Sequence, residues 1–301
     1  MTPESLPVDV AATFRCRLGE SPVWSPAEGV LWWVDIEGRA LHRLHPASGA
    51  VRTWHAQQRI GCVALHAQGG LIGALEDGIW HLQPQGDGRL DAQRLATVRH
   101  AQAGMRFNDG RCDRRGRLWA MTMVRDIALG VPAGALYRYD ARGLSEPIVS
   151  GFVIGNGIAF SPDNRTMYFA DAHASVRRIW AADLHDDGTL SNRREFVDMN
   201  RFAGRPDGAA VDADGCYWIC ATDSGSILRF TPEGRLDRAV KVPVAKPTMC
   251  AFGGSDGRDM WVTSLVPSPS PEGYDPALAG VLLHLRPGPR GIDETPFAGP
   301  A

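Results

Sequence analysis

The chain has 301 residues, with 32 Lys and Arg against 34 Asp and Glu and a formal charge of −2. That near balance offers no basic face for nucleic acid or an anionic membrane, and no run is apolar enough to span a bilayer. The opening MTPESLPVDVAATFRCR lacks the basic start and apolar run of a secretory leader, so a cytoplasmic protein is expected. Six cysteines without a C-x-x-C pair read as reduced, buried thiols, and 34 Gly with 21 Pro suit a turn-rich all-β chain.

In chain order, a strand begins at Glu20, turns at Ser25-Pro26-Ala27-Glu28-Gly29, and returns as Val30 to Asp35. A third strand, Ala40 to His45, and a fourth, Ala50 to His55, complete a meander too small to bury its own faces. The first turn then recurs as HAQGG at His66, DRRG at Asp113, SPDN at Ser161, DADG at Asp212 and GGSDG at Gly253. Apolar second strands follow each turn, among them Leu118-Trp119, Met167-Tyr168-Phe169, Tyr217-Trp218-Ile219 and Met260-Trp261-Val262. Third strands are expected at Leu41–Leu44, Ile79–Leu82, Leu136–Tyr139, Val176–Trp180, Ile227–Phe230 and Val281–Leu285. Six copies at intervals of roughly 40–50 residues match the period of a four-stranded propeller blade. The expectation is therefore one all-β domain over 1–301, a six-bladed β-propeller with four antiparallel strands per blade. Ile292 onward makes a poor last strand, so Val8 to Cys16 is expected to close the ring within the sixth blade.

Counting back from the second-strand aromatic locates the head of each first strand. Trp32 to Glu20 is 12 positions, Trp119 to Asn108 is 11, Tyr168 to Asn156 is 12 and Trp218 to Asp207 is 11. Four of six copies thus carry a carboxylate or carboxamide at one repeat phase, and first strands line a propeller's channel. Asn108-Asp109-Gly110, Asn156-Gly157 and Asp207-Gly208 also have the composition of turns, but Glu20 does not. Oxygen donors converging at one mouth suit a hard divalent cation, with calcium foremost and magnesium, manganese, zinc or iron as alternatives.

Rival motifs fit less well. Gly253-Gly254-Ser255-Asp256-Gly257 matches G-x-S-x-G, but it falls in a hairpin turn rather than a strand-to-helix elbow. Asp212-Ala213-Asp214-Gly215 places its glycine wrongly for an EF-hand loop, and the nine histidines show no ligand spacing.

LGESPVW at Leu18, RFNDGRCDRRGRLWAMTM at Arg106, GNGIAFSPDNRTMYFAD at Gly155, PDGAAVDADGCYWI at Pro206 and KPTMCAFGG at Lys246 together resemble the family of SMP-30 (regucalcin), gluconolactonases and related sugar lactonases. The resemblance spans essentially the whole chain and implies the six-bladed propeller. It implies one catalytic divalent ion on Glu20, Asn156 and Asp207, and substrate contacts from Arg106, Asn108 and Asp126. The expected activity is metal-dependent hydrolysis of a sugar-derived lactone, such as a glucono-, xylono- or arabinolactone, to the aldonic acid. Asp207 is the expected general base. The alternatives are a promiscuous esterase or organophosphate hydrolase on the same centre, or a non-catalytic calcium-binding propeller. Expected partners are a small-molecule sugar lactone and no nucleic acid or membrane, with the chain a monomer or weak oligomer.

Overall fold

Residues 3–300 are described by a computed structural model of the chain. Six small antiparallel sheets form the blades of a propeller, and in each the first strand of the repeated four-strand unit is innermost. The inner strands are Gly19–Ser25, Ile60–Leu65, Met105–Cys112, Gly155–Phe160, Arg205–Val211 and Pro247–Gly253. They are almost wholly buried because neighbouring blades cover both of their faces. Outer strands such as Leu90–Thr97 and Leu190–Asp198 are largely solvated.

The apolar core is distributed between blades. Tyr168, Ile179, Tyr217 and Phe230 pack blade four on five, and Phe107, Leu118 and Tyr137 pack against Ile72 and Ile79 across blades two and three. Trp24, Leu31 and Trp33 meet Trp261 and Leu282 where blade six joins blade one. Every junction has such a cluster, which is how meanders that cannot fold alone bury their faces. All six cysteines are free and buried.

Ring closure takes the expected form, but with a shorter strand. Val8–Ala12, rather than Val8 to Cys16, pairs antiparallel with Leu282–Leu285 and becomes the outer strand of blade six. Glu4–Ser5 adds a parallel pairing on Leu236–Lys241 of blade five, which no sequence signal announced. The third strand of blade four begins at Arg178 and runs to Leu184, later than the expected Val176–Trp180, because Val176 and Arg177 close a turn with Arg177 at φ +48°. Downstream of Leu285 the chain crosses the end of the ring where first and second strands are joined. There Phe297 is fully buried, and Phe297 N donates to Leu65 O at 2.7 Å while Arg111 pairs with Glu294. No helix among the described residues is long and apolar enough to cross a membrane.

The tight-turn aspartates are more than turn formers. Asp212 is fully buried and accepts from Asp214 N, Cys216 N, the Trp218 indole at 2.8 Å and Arg229 Nε at 2.8 Å. Asp113 repeats the pattern with the Trp119 indole at 2.9 Å and Arg117 Nε at 2.6 Å. A carboxylate so placed gives each hairpin's buried tryptophan an acceptor and pairs the buried arginine beside it. Asp212→Ala leaves the Trp218 indole without an acceptor and removes one of three carboxylates from Arg229, which keeps Asp214 and Asp237, and is expected to cost about 1–3 kcal/mol of stability. A urea midpoint unmoved by the substitution would contradict that role.

Candidate functional site

The inner strands start at the end of the ring opposite the inner turns, and each carries one extra residue near its start. Glu20 pairs with Val34 and Val23 with Trp32, so the inner strand advances three residues while its partner advances two. Blades three to six repeat this at Phe107/Gly110, Asn156/Ala159, Pro206/Ala209 and Pro247/Cys250, and blade two has a one-residue version at Ile60/Cys62. These are β-bulges, which re-aim side chains locally. Arg106-Phe107-Asn108-Asp109-Gly110 therefore lies within the strand Met105–Cys112, although Asn108-Asp109-Gly110 has the composition of a turn. Gly157 shows why the sequence needs glycine here. It sits at φ +69°, and a Cβ would come within 2.7 Å of the Tyr217 hydroxyl.

The bulges bring Glu20, Arg106, Asn108, Asn156 and Asp207 to one mouth of the channel, each 8% exposed or less. Asn156 Nδ2 donates to Asp207 Oδ1 at 2.6 Å, joining blade four to five. Asn108 Nδ2 donates to Gly155 O at 3.0 Å, and Arg106 Nη1 donates to Asn108 Oδ1 at 2.6 Å. Ser21, at φ +51° in the first bulge, receives Val63 N at 2.9 Å from blade two. Amides and hydroxyls thus staple the blades together.

The carboxylates are not spent in this way. Glu20 accepts no hydrogen bond from a side chain among the described residues, and burial pushes it well above the usual carboxylate range, with Asp207 and Asp109 adding to the rise. Asp207 is pushed up to about 8, mainly by burial, with Arg205 and the Asn156 amide pulling the other way and Asp109 raising it further. Asp109, read in the sequence only as part of a turn, is a third member of the group. One oxygen accepts Ile158 N at 2.8 Å, and the other is buried without a partner. On the other side Arg106 is lowered to about 10 by burial, against the pull of Glu37 and Glu20, and its Nε is also buried and unpartnered.

Asp126 stands apart. It is exposed and caps the short 3-10 turn Ile127–Leu129, accepting Ala128 N at 3.2 Å. A groove of about 810 Å³ lies at the far end of the ring between blades six and one, lined by Trp24, Asp259, Trp261 and His284. It contains none of the residues above, so the chemistry rather than the volume locates the site.

Among the described residues, no three His, Cys, Asp or Glu side chains are placed to hold a metal ion by themselves. A cation at this mouth therefore draws on carboxamide oxygen as well. The group fits one, since two close carboxylates have unspent oxygens and Asn156 exchanges nitrogen for oxygen by a half-turn of its amide.

A family model described as the SMP-30/gluconolactonase/LRE-like region matches residues 18–266. The chain is similar to a 6-deoxy-6-sulfogluconolactonase of Pseudomonas putida, 39% identical over 284 residues covering 94% of this chain and 95% of that protein. It is similar to a pentonolactonase of Haloferax volcanii, 34% identical over 83% of this chain and 82% of that one. Its fold is similar to that of a calcium-binding regucalcin from Agrobacterium tumefaciens, with a TM-score of 0.88 at 28% identity over 99% of both chains.

Proposed function

Because the chain belongs to the SMP-30/gluconolactonase/LRE-like family and is a lactonase of the carboxylic-ester hydrolase class, we propose that it opens a sugar-derived lactone to the aldonic acid in a divalent-metal-dependent reaction. The observation that carries this reading is the convergence of acidic and amide side chains from blades one, three, four and five, at matching bulges, on one mouth. Glu20, Asn156 and Asp207 would hold the ion, with calcium the first candidate. A bound divalent ion supplies Lewis-acid polarisation of the lactone carbonyl and acidifies water.

The chain's own residues do the rest. Asp207 has Asn156 on one oxygen and is the base that takes a proton from the attacking water. Arg106, with an unpartnered Nε, and Asn108 donate to substrate oxygens and steady the negative charge that builds on the carbonyl oxygen. Asp126, on the exposed rim, is left to meet whatever part of the substrate projects toward solvent. The mouth is polar, so polyhydroxy lactones should be preferred to acyl lactones.

The experiment is acid release from glucono-, xylono-, arabino- and galactonolactone, with and without added divalent ion, beside a long-chain acyl-homoserine lactone and a simple aryl ester. A higher kcat/KM for the acyl lactone or the ester would overturn the sugar assignment. Arg106→Ala is expected to lower kcat/KM for the preferred sugar lactone by roughly 10²-fold. An unchanged value would remove Arg106 from the site.

A further inference from the structure

On the side of the mouth formed by blades five and six, two cations share one carboxylate. Asp223 directly follows the second strand of blade five and accepts Arg205 Nε at 2.6 Å on one oxygen and Lys246 Nζ at 2.5 Å on the other. Arg205 opens the inner strand of blade five two residues before Asp207, and Lys246 directly precedes the inner strand of blade six. All three therefore lie at the end of the ring where Asp207 sits. Apart from Asp223, Arg205 reaches only Ala172 O, at 3.4 Å, and Lys246 Nζ has no other side-chain or backbone acceptor among the described residues. A guanidinium has five N–H donors and an ammonium three, so most of their capacity is unspent.

The opposite rim is balanced differently. Arg59 there is gripped by two carboxylates, with Nη2 on Glu37 at 2.9 Å and Nη1 on Glu76 at 3.0 Å. Arg177, also near the blade-five edge, spends one nitrogen on the carbonyls of Met199, Phe202 and Gly204. Arg205 and Lys246 thus form the cation pair beside Asp207 with a surplus of charge and of donors. Asp223 holds this arrangement from a backbone at φ +75°, a region that non-glycine residues rarely adopt. Exposed ion pairs alone return little stability. A strained carboxylate that spaces two half-buried cations over a substrate mouth is better matched to binding an oxyanion.

The geometry points to a second recognition element, in which Arg205 and Lys246 receive a terminal anionic group (sulfonate, phosphate or carboxylate) on the end of the lactone remote from its carbonyl. This rests on the lactonase reading above and specifies its substrate class. Charge-assisted bonds from a guanidinium and an ammonium suit tetrahedral and planar oxyanions alike, and a positive edge steers anions inward. Neutral lactones of the same ring would still reach Arg106 and Asn108, but would leave this pair unused.

The test compares gluconolactone with its 6-sulfo and 6-phospho counterparts and with the lactone of glucaric acid, in wild type, Lys246→Gln, Lys246→Arg and Arg205→Gln. Wild type should favour at least one anionic lactone over the neutral one by about tenfold in kcat/KM, chiefly through KM. That preference should shrink on raising salt and collapse in Lys246→Gln and Arg205→Gln, while Lys246→Arg keeps it. Which anion gains most distinguishes sulfonate, phosphate and carboxylate. A wild-type preference near one, with the neutral lactone turned over, overturns the anion site and leaves the lactonase standing. A preference that survives both glutamine variants overturns its placement on this pair. Failure to turn over any lactone overturns the lactonase reading itself, and this inference with it.

Discussion

Replacing Asp207 by alanine is expected to lower kcat on the preferred sugar lactone by roughly 10²–10⁴-fold, the usual effect of losing a catalytic base. Loss of a cation ligand would deepen the defect. The fold should tolerate the change. Asp207 is a buried carboxylate set against two others, Glu20 and Asp109, and its one side-chain bond is to Asn156. Alanine removes an unfavourable buried charge as well as that bond, so the melting temperature of metal-stripped protein should not fall. The pairing of lost activity with retained stability is diagnostic, because a structural aspartate such as Asp212 should show the reverse. A variant keeping more than a tenth of the wild-type rate would rule Asp207 out as the base.

The second large effect concerns the ion. Glu20, Asn156 and Asp207 come from blades one, four and five, which near the channel otherwise meet through packing and a few inter-blade hydrogen bonds. A cation bound only by the folded ring adds RT ln(1 + [L]/Kd), about 2.7 kcal/mol at a hundredfold excess over Kd. Exhaustive chelation is therefore expected to lower the melting temperature and abolish lactone hydrolysis in the same sample. Titration with calcium, magnesium, manganese or zinc should restore both, and the ion that restores most activity identifies the working metal. Full activity in protein shown by elemental analysis to be metal-free would end the metal reading.

Much of this molecule was legible before folding was considered. Six turns rich in Asp, Gly and Pro, each followed by an apolar strand, define six meanders, because hairpin pairing is local and demands particular turn residues at fixed offsets. The repeat phase alone singled out Glu20, Asn108, Asn156 and Asp207. The bulges were not legible. Inner strands are buried on both faces, so they have no polar alternation from which an extra residue can be counted. Without the bulges, Asn108, Asp109 and Gly110 read as a turn, and Asp109 loses its place beneath the site. Asp212 read as a turn residue because its indole and guanidinium partners are chosen by packing rather than by neighbouring sequence.

Contacts between distant segments needed the closed ring. Arg205, Asp223 and Lys246 come together only because the end of one strand and the beginnings of two others open on the same face. Phe297 seals the opposite end although nothing in its local sequence marks it as core. Local chemistry in the chain determined the repeat, the turns and the phase of the polar residues. Which of those residues share a surface, and how much charge they hold in common, was decided by ring closure, since electrostatics and burial act through space and not along the chain.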